Sequence, residues 1–381
     1  MRAVRPPMTL LIAWRNLVHD HVRFATTLLG VIFAVTLMSV QIGLLLGFSA
    51  TATGLVEHTS ADIWLASRGI ANVDQSVILP QRSVYQALET LGVAAVSRYI
   101  VRYADWRKPD GGTELVIVVG FDMHTDVGAP WNLIEGSIED LNRPNAAIID
   151  RLYLSKLGIS ETGGTAEIRG RLVRVVGLTS GIRTFTQAPY VFTSYDNALD
   201  YTDVGDGETS FVLVRIQPDR SVAQVVQRLR DALPDLDVMA RRELSDRTRN
   251  YWLYTTGAGG ALAVGFLLGA VVGVTIVAQT LYAATTERIL EYATLRAIGA
   301  PTRYLISIVV LQAVVSGAIG CAVGLTISYG IVRLSQDGPA FLQLPFEVSA
   351  SLALFTILMC VAASVLAMRK VTAIDPTSVF R

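Results

Sequence analysis

The side chains able to do chemistry in this chain are few and scattered. Four histidines, His19, His21, His58 and His124, stand singly, with no HExxH pairing. The two cysteines, Cys321 and Cys360, both fall inside apolar runs, which excludes a disulfide scaffold and a four-thiolate zinc site. Of the three lysines, Lys108, Lys156 and Lys370, none follows a glycine, so no GxxxxGK[ST] loop exists to cradle a nucleotide's phosphates. There is no GxSxG, and no carboxylate pair is recognisable from spacing as an acid/base couple. Asp122, His124 and Asp126 alternate as metal ligands do, but nothing nearby supplies further ligands, and they read as a loop after a strand. The reading is of a non-enzyme: no catalytic residue, no metal site and no cofactor bound by this chain itself.

What the sequence builds instead is membrane-spanning helix. Hydrophobic residues make up 51% of the 381, and charged residues only 17%, against roughly 25% in soluble domains. Basic and acidic side chains balance at 32 each, so no global field favours nucleic acid. Uncharged runs of about 33, 37, 29 and 21 residues lie between Arg23 and Glu57, Arg249 and Glu287, Arg303 and Arg333, and Glu347 and Arg369. Each reaches the roughly 20 residues that cross a bilayer as helix. They predict spans at 24–48, 253–284, 304–332 and 349–368. Ala50-Thr51-Ala52 has the small-x-small look of a cleavage site, but the run before it is far longer than the about 7–15 apolar residues of a signal peptide, so it reads as an anchor. No span carries a charge in its interior, which argues against a proton- or sodium-driven carrier.

Arginines and lysines cluster at Arg2, Arg5, Arg15 and Arg23, at Arg288, Arg296 and Arg303, and at Arg369, Lys370 and Arg381. By the positive-inside rule both termini and the 285–303 segment are expected to be cytoplasmic. The 49–252 insert and the 333–348 loop are then extracytoplasmic. Residues 1–23 read as an amphipathic helix lying on the inner leaflet, and 369–381 as a cytoplasmic tail. The expected fold class is a membrane protein of four transmembrane helices, one plus three, with a large α+β domain inserted between the first and second. Within the insert, strands are expected at 62–67, 93–106, 114–121, 146–150, 166–169, 172–178 and 211–216. Pro109-Asp110-Gly111-Gly112 marks one turn and Gly170-Arg171 another. Helices are expected from Pro80 through Leu91 and over 221–233, with Ser221 as N-cap.

Small residues recur every fourth position in the second span, at Gly257, Ala261, Gly265, Gly269 and Gly273, and in the third at Ser316, Gly320, Gly324 and Ser328. Such faces let helix backbones approach closely, within one chain or across a dimer. After the second span, Thr286 is a possible cap, Glu287 and Glu291 suit the positive end of a helix dipole, and Arg296 the other end. Gly299 can take the C′ position and Pro301 the stop. Leu290, Ala293, Leu295 and Ile298 offer a narrow apolar surface with charged flanks.

Glu287-Arg288, Glu291 and Leu295-Arg296-Ala297-Ile298-Gly299-Ala300 resemble the cytoplasmic segment of the MacB/FtsX/Lol permease family of ABC transporters. The tail, Arg369-Lys370 followed by Asp375-Pro376, is similar to that family's closing motif, and the one-plus-three arrangement is shared. Glu291-Tyr292-Ala293-Thr294-Leu295, Asn250-Tyr251-Trp252 and the Ile63–Ser67 strand look most like the DevC branch; Tyr292-Ala293 stands where many members have Ile-Gly. The resemblance implies a homodimeric permease of the cell (inner) membrane, bound to a separate ABC ATPase that uses ATP and Mg. It also implies a membrane-fusion adaptor and an outer-membrane channel as partners, with membrane lipid, glycolipid or another amphiphile handled at the extracytoplasmic side. Glu287, Arg288, Glu291, Leu295, Arg296, Ile298 and Gly299 would form the coupling contact with the ATPase. An alternative is an FtsX-like scaffold that signals ATPase state to an extracytoplasmic hydrolase, although an insert of about 200 residues exceeds what such a regulator needs.

Overall fold

The computed structural model describes residues 20–125, 127–287, 294, 301–336, 338 and 340–372. These fall into two compact units. One comprises Met1–Gly47, Gly260–Gln336 and Leu342–Arg381; the other comprises Phe48–Gly259 with Asp337–Phe341. The first uncharged run becomes α1 (His21–Glu57), 37 residues long. In hydrocarbon every backbone polar group must be satisfied within the segment, which selects helix. At 1.5 Å per residue α1 is about 55 Å long, well beyond the roughly 30 Å of a bilayer core. The helix therefore outruns the expected end at residue 48. Its last turns persist because Leu55 and Val56 are buried in the core of the inserted domain.

The inserted domain is built on β1 (Ile63–Ser67), β2 (Leu79–Pro80), α2 (Arg82–Leu88), β3 (Val93–Arg107), β4 (Thr113–Phe121), β5 (Leu133–Glu135), β6 (Ala146–Asp150), α3 (Leu154–Leu157), β7 (Thr165–Ile168), β8 (Arg171–Thr179), β9 (Tyr190–Ser194), α4 (Tyr195–Tyr201), β10 (Glu208–Thr209), β11 (Phe211–Ile216), α5 (Val222–Ala232), β12 (Leu236–Ala240) and α6 (Arg241–Asn250). Its main sheet runs β12-β1-β11-β3-β4-β9-β6-β8-β5, with β7 pairing both β3 and β8. Pairing is antiparallel except for β4 with β9 and β6 with β8. Alternation along the strands sends Trp64, Tyr99, Phe211, Leu213 and Met239 into one core. Their neighbours Ile63, Leu65, Val212, Val214 and Val238 face a second core, closed by Val225, Val226 and Leu229 of α5. Each such side chain, fully covered, stabilises by about 1.5–3 kcal/mol.

The domain departs from the sequence reading at several places. Pro80 lies in β2, and α2 covers only Arg82–Leu88, because Gly92, at φ +100°, turns the chain directly into β3. The β7–β8 turn is at Arg169-Gly170, one residue earlier than expected, both residues at positive φ as a two-residue primed turn requires. Ser221 sits at the N-cap of α5 but makes no side-chain cap; its backbone carbonyl accepts from Gln224 and Val225. Strand β9 gave no signal because four of its five residues are buried, so it carries no alternation to read.

The remaining runs form α7 (Ala258–Glu287), α8 (Thr302–Ser335) and α9 (Phe346–Thr372). With α1 they are, among the described residues, four helices long and apolar enough to cross a membrane. Helix α1 presents Ala34, Met38 and Gln41 to α7, and Val31 and Val35 to α8. Val31, Val35, Val277, Val309, Met359, Cys360 and Ala363 make the shared core.

Candidate functional site

The C-terminal end of α7 is continuous helix through Glu287. Thr286 is not a cap: its hydroxyl donates to the Tyr282 carbonyl one turn back, as Thr285 does to Leu281. Glu287 pairs with Arg23, which also contacts Asp20 at 3.3 Å, so the start of α1 and the end of α7 are held together. The Glu287 side chain is largely exposed, and such a pair fixes geometry more than it stabilises. Of the other residues expected to form a coupling contact, Arg288, Glu291, Leu295, Arg296, Ile298 and Gly299 lie outside the described residues, as do Asp375 and Pro376 of the tail. Arg369 and Lys370 fall within α9. Pro301, in extended conformation, takes the N-cap position of α8.

The small-residue faces meet neighbours inside the chain. A Cβ on Gly265 would lie 2.6 Å from the Gln41 side chain, on Gly269 3.0 Å from Met38 and on Gly273 2.8 Å from both Ala34 and Met359. On α8, Cβ atoms at Gly320 and Gly324 would come within 2.7 and 2.9 Å of Val31 and Val35. The two N-terminal members of the α7 series differ. Gly257 precedes the helix at φ +77° with open space around it, and Ala261 is exposed. Helix α7 is also the least covered span, with 17% of its apolar window buried against 39–44% in the other three. Val264, Leu267, Leu268 and Val271 make its bare face.

In the inserted domain Asp122 accepts from the His124 backbone N–H at 3.0 Å, a turn-forming bond, and Asp126 lies outside the described residues. Among the described residues no three His, Cys, Asp or Glu side chains gather as metal ligands would. Two features that spacing did not reveal stand out. Asp74, buried, accepts from Tyr190 Oη at 3.4 Å, while its own backbone N–H and that of Gln75 donate to Asn72 Oδ1 at 3.0 Å. Burial pushes its carboxyl up to about 6, with Trp252 and Tyr190 acting in the opposite direction. An open cavity of about 920 Å³ beside α6 is lined by Arg242, Asp246, Arg247, Tyr251 and Tyr254. The Asp74 group has no motif because it assembles residues far apart in the chain, whereas the cavity is lined by one stretch, 242–255, with Ala71. Among the described residues the arrangement offers helices closely packed at their glycines and a domain built on one large sheet.

Residues 24–232 match the family described as MacB-like periplasmic core domain, and residues 263–376 match the FtsX-like permease C-terminal family. An uncharacterized ABC transporter permease of Mycobacterium bovis is 25% identical over 356 residues, covering 92% of this chain and 93% of that protein. A second, of Mycobacterium tuberculosis, is 24% identical over 352 residues, again covering 92% and 93%. The periplasmic region of MacB from Actinobacillus actinomycetemcomitans aligns over 50% of this chain and 94% of its own, with 14% identity and a TM-score of 0.37.

Proposed function

The chain belongs to the MacB/FtsX-like family of ABC transporter permeases, and we propose that it is a homodimeric, inner-membrane permease of an export system driven by a separate ATPase subunit. Both termini and the 285–303 segment face the cytoplasm in this reading, consistent with the arginine and lysine distribution. The ATPase, using ATP and Mg, docks on 287–300, and its closure moves the spans as levers that reshape the extracytoplasmic domain. Cargo is a lipid, glycolipid or other amphiphile, taken at the outer leaflet and passed to a membrane-fusion adaptor and outer-membrane channel. The observation that carries this reading is α1, a 37-residue helix, His21–Glu57, whose last turns bury Leu55 and Val56 in the core of the inserted domain. The bare face of α7 supports a dimer, since a second copy would cover it.

The test is substitution of the apolar centre of the coupling segment. Leu295→Asp puts an unpaired charge into the proposed contact, where an ion without a partner is costly. The spans and the domain do not contain this residue, so insertion and folding are expected to survive. Recovery of a tagged ABC ATPase subunit co-expressed with the permease is expected to fall at least tenfold, the loss of about 1.4 kcal/mol or more. Equal recovery with wild-type and Leu295→Asp permease would show that the segment merely rests on headgroups.

A further inference from the structure

Residues 180–189, between β8 and β9, are fixed at their base and reach outward at their tip. Asp150, at the end of β6 and buried, accepts from the Ile182 N–H at 2.7 Å, from Thr179 Oγ1 at 3.0 Å and from the Leu152 N–H at 3.0 Å. The Ser180 N–H donates to the Asn132 carbonyl at 3.0 Å, Lys156 Nζ to the Gln187 carbonyl at 2.7 Å, and Thr184 Oγ1 to the Ala188 carbonyl at 2.7 Å. Of the three bonds to Asp150, the one from Ile182 reaches into the loop and ties its base to the end of β6.

Its tip touches three separate stretches of chain. The Phe185 ring lies 4.0 Å from Phe48, edge to face, and 4.8 Å from Trp252. The Arg183 guanidinium sits 4.6 Å above the Phe341 ring, and its Nε donates to the Gly338 carbonyl at 3.3 Å. Phe48 is in α1, Trp252 lies in the turn leading to α7, and Gly338 and Phe341 lie in the connection from α8 to α9. All of them belong to the same compact unit as the loop, next to the points where the chain leaves it. One loop, anchored to the sheet by Asp150, grips all three.

We propose that Arg183 and Phe185 are positioning residues for energy coupling, making the outer end of α1, the approach to α7 and the α8–α9 connection move as one body with the extracytoplasmic domain. This rests on the reading of the chain as an ATPase-driven permease. An ordinary packing role would have the loop contribute stability at its own position only. A coupling role requires that loosening the tip release three sequence-distant segments together while leaving the inner coupling segment intact.

The experiment uses the full chain in lipid nanodiscs, alone and with the co-expressed ATPase. Without the ATPase, Phe185→Ala combined with Arg183→Gln is expected to speed amide exchange over 48–57, 251–257 and 338–345 together. The expected factor is roughly fivefold to tenfold, the scale of lost aromatic contacts, with β1, β3 and β11 unchanged. Phe185→Tyr, which keeps the ring, is expected to restore wild-type exchange. With the ATPase, the double variant is expected to bind as wild type yet lose permease-stimulated hydrolysis. Faster exchange confined to 180–189, or full stimulated hydrolysis in the double variant, would overturn the proposal. Failure of the wild-type chain to bind the ATPase is a separate result, read on the wild type alone, and would overturn the permease function beneath it.

Discussion

At the scale of single residues, the informative positions are those where chemistry and packing conflict. Asp74 is a carboxyl group held in an apolar setting, and burial raises it to about 6, above the ordinary carboxylate range. The folded domain thus holds this proton more tightly than the unfolded chain does. Stability from this group is fully present at low pH and is lost as pH rises from the ordinary carboxylate value toward about 6, then stays level. The loss is on the order of 3 kcal/mol. Asp74→Asn is expected to flatten that slope in thermal unfolding of the full chain between pH 4 and 7; an unchanged slope would assign it to another group. Gly269 poses the opposite case, a site with no room. Its missing Cβ would lie 3.0 Å from Met38, so Gly269→Leu must push α1 and α7 apart. The expected cost is about 1–3 kcal/mol or more, read as loss of monodisperse protein on size exclusion. A wild-type profile would mean that the helices separate there without penalty.

At the scale of elements, what the sequence revealed follows from how local its signals are. The spans were legible because an apolar run long enough to cross a bilayer has few other fates. Strands β1, β3, β4, β6 and β11 were legible from β-branched runs between turn residues. The α7 and α8 glycines announced close packing, but spacing alone could not say against what, and the answer is α1 from two sides, with Met359 of α9 also against Gly273. Strand β9 and helices α4 and α6 were missed because tertiary burial, not periodicity, holds them. The Arg183–Phe185 tip was missed for a related reason. Its partners are 137 residues before Phe185 at Phe48, counting 185 − 48, and 67 after it at Trp252, counting 252 − 185. No pattern read along the chain connects such positions. The resemblance in 287–300 was legible as a motif, whereas the bare face of α7 emerges only once the other three spans are in place.

At the scale of the whole molecule, the long helix α1, the glycine-packed spans and the loop tied to Asp150 are the parts on which the proposed permease function rests. The chain's orientation is open to a simple check. Single cysteines at Ser221, exposed in the extracytoplasmic domain, and at Thr302, at the start of α8, are expected to differ in intact cells. An impermeant maleimide should label the first and spare the second; the native Cys321 and Cys360 are both buried and add little background. The reverse pattern would invert the topology and remove the coupling segment from the ATPase's reach. The central claim is that this chain is moved by a partner's ATP hydrolysis, and one measurement addresses it directly. Steady-state hydrolysis by the co-expressed ATPase is followed with the permease reconstituted in nanodiscs and with empty nanodiscs. The account predicts a stable complex whose hydrolysis rate differs severalfold from that of the ATPase alone, and a return to the ATPase-alone rate with Leu295→Asp. No complex, and one rate in all three samples, would contradict it.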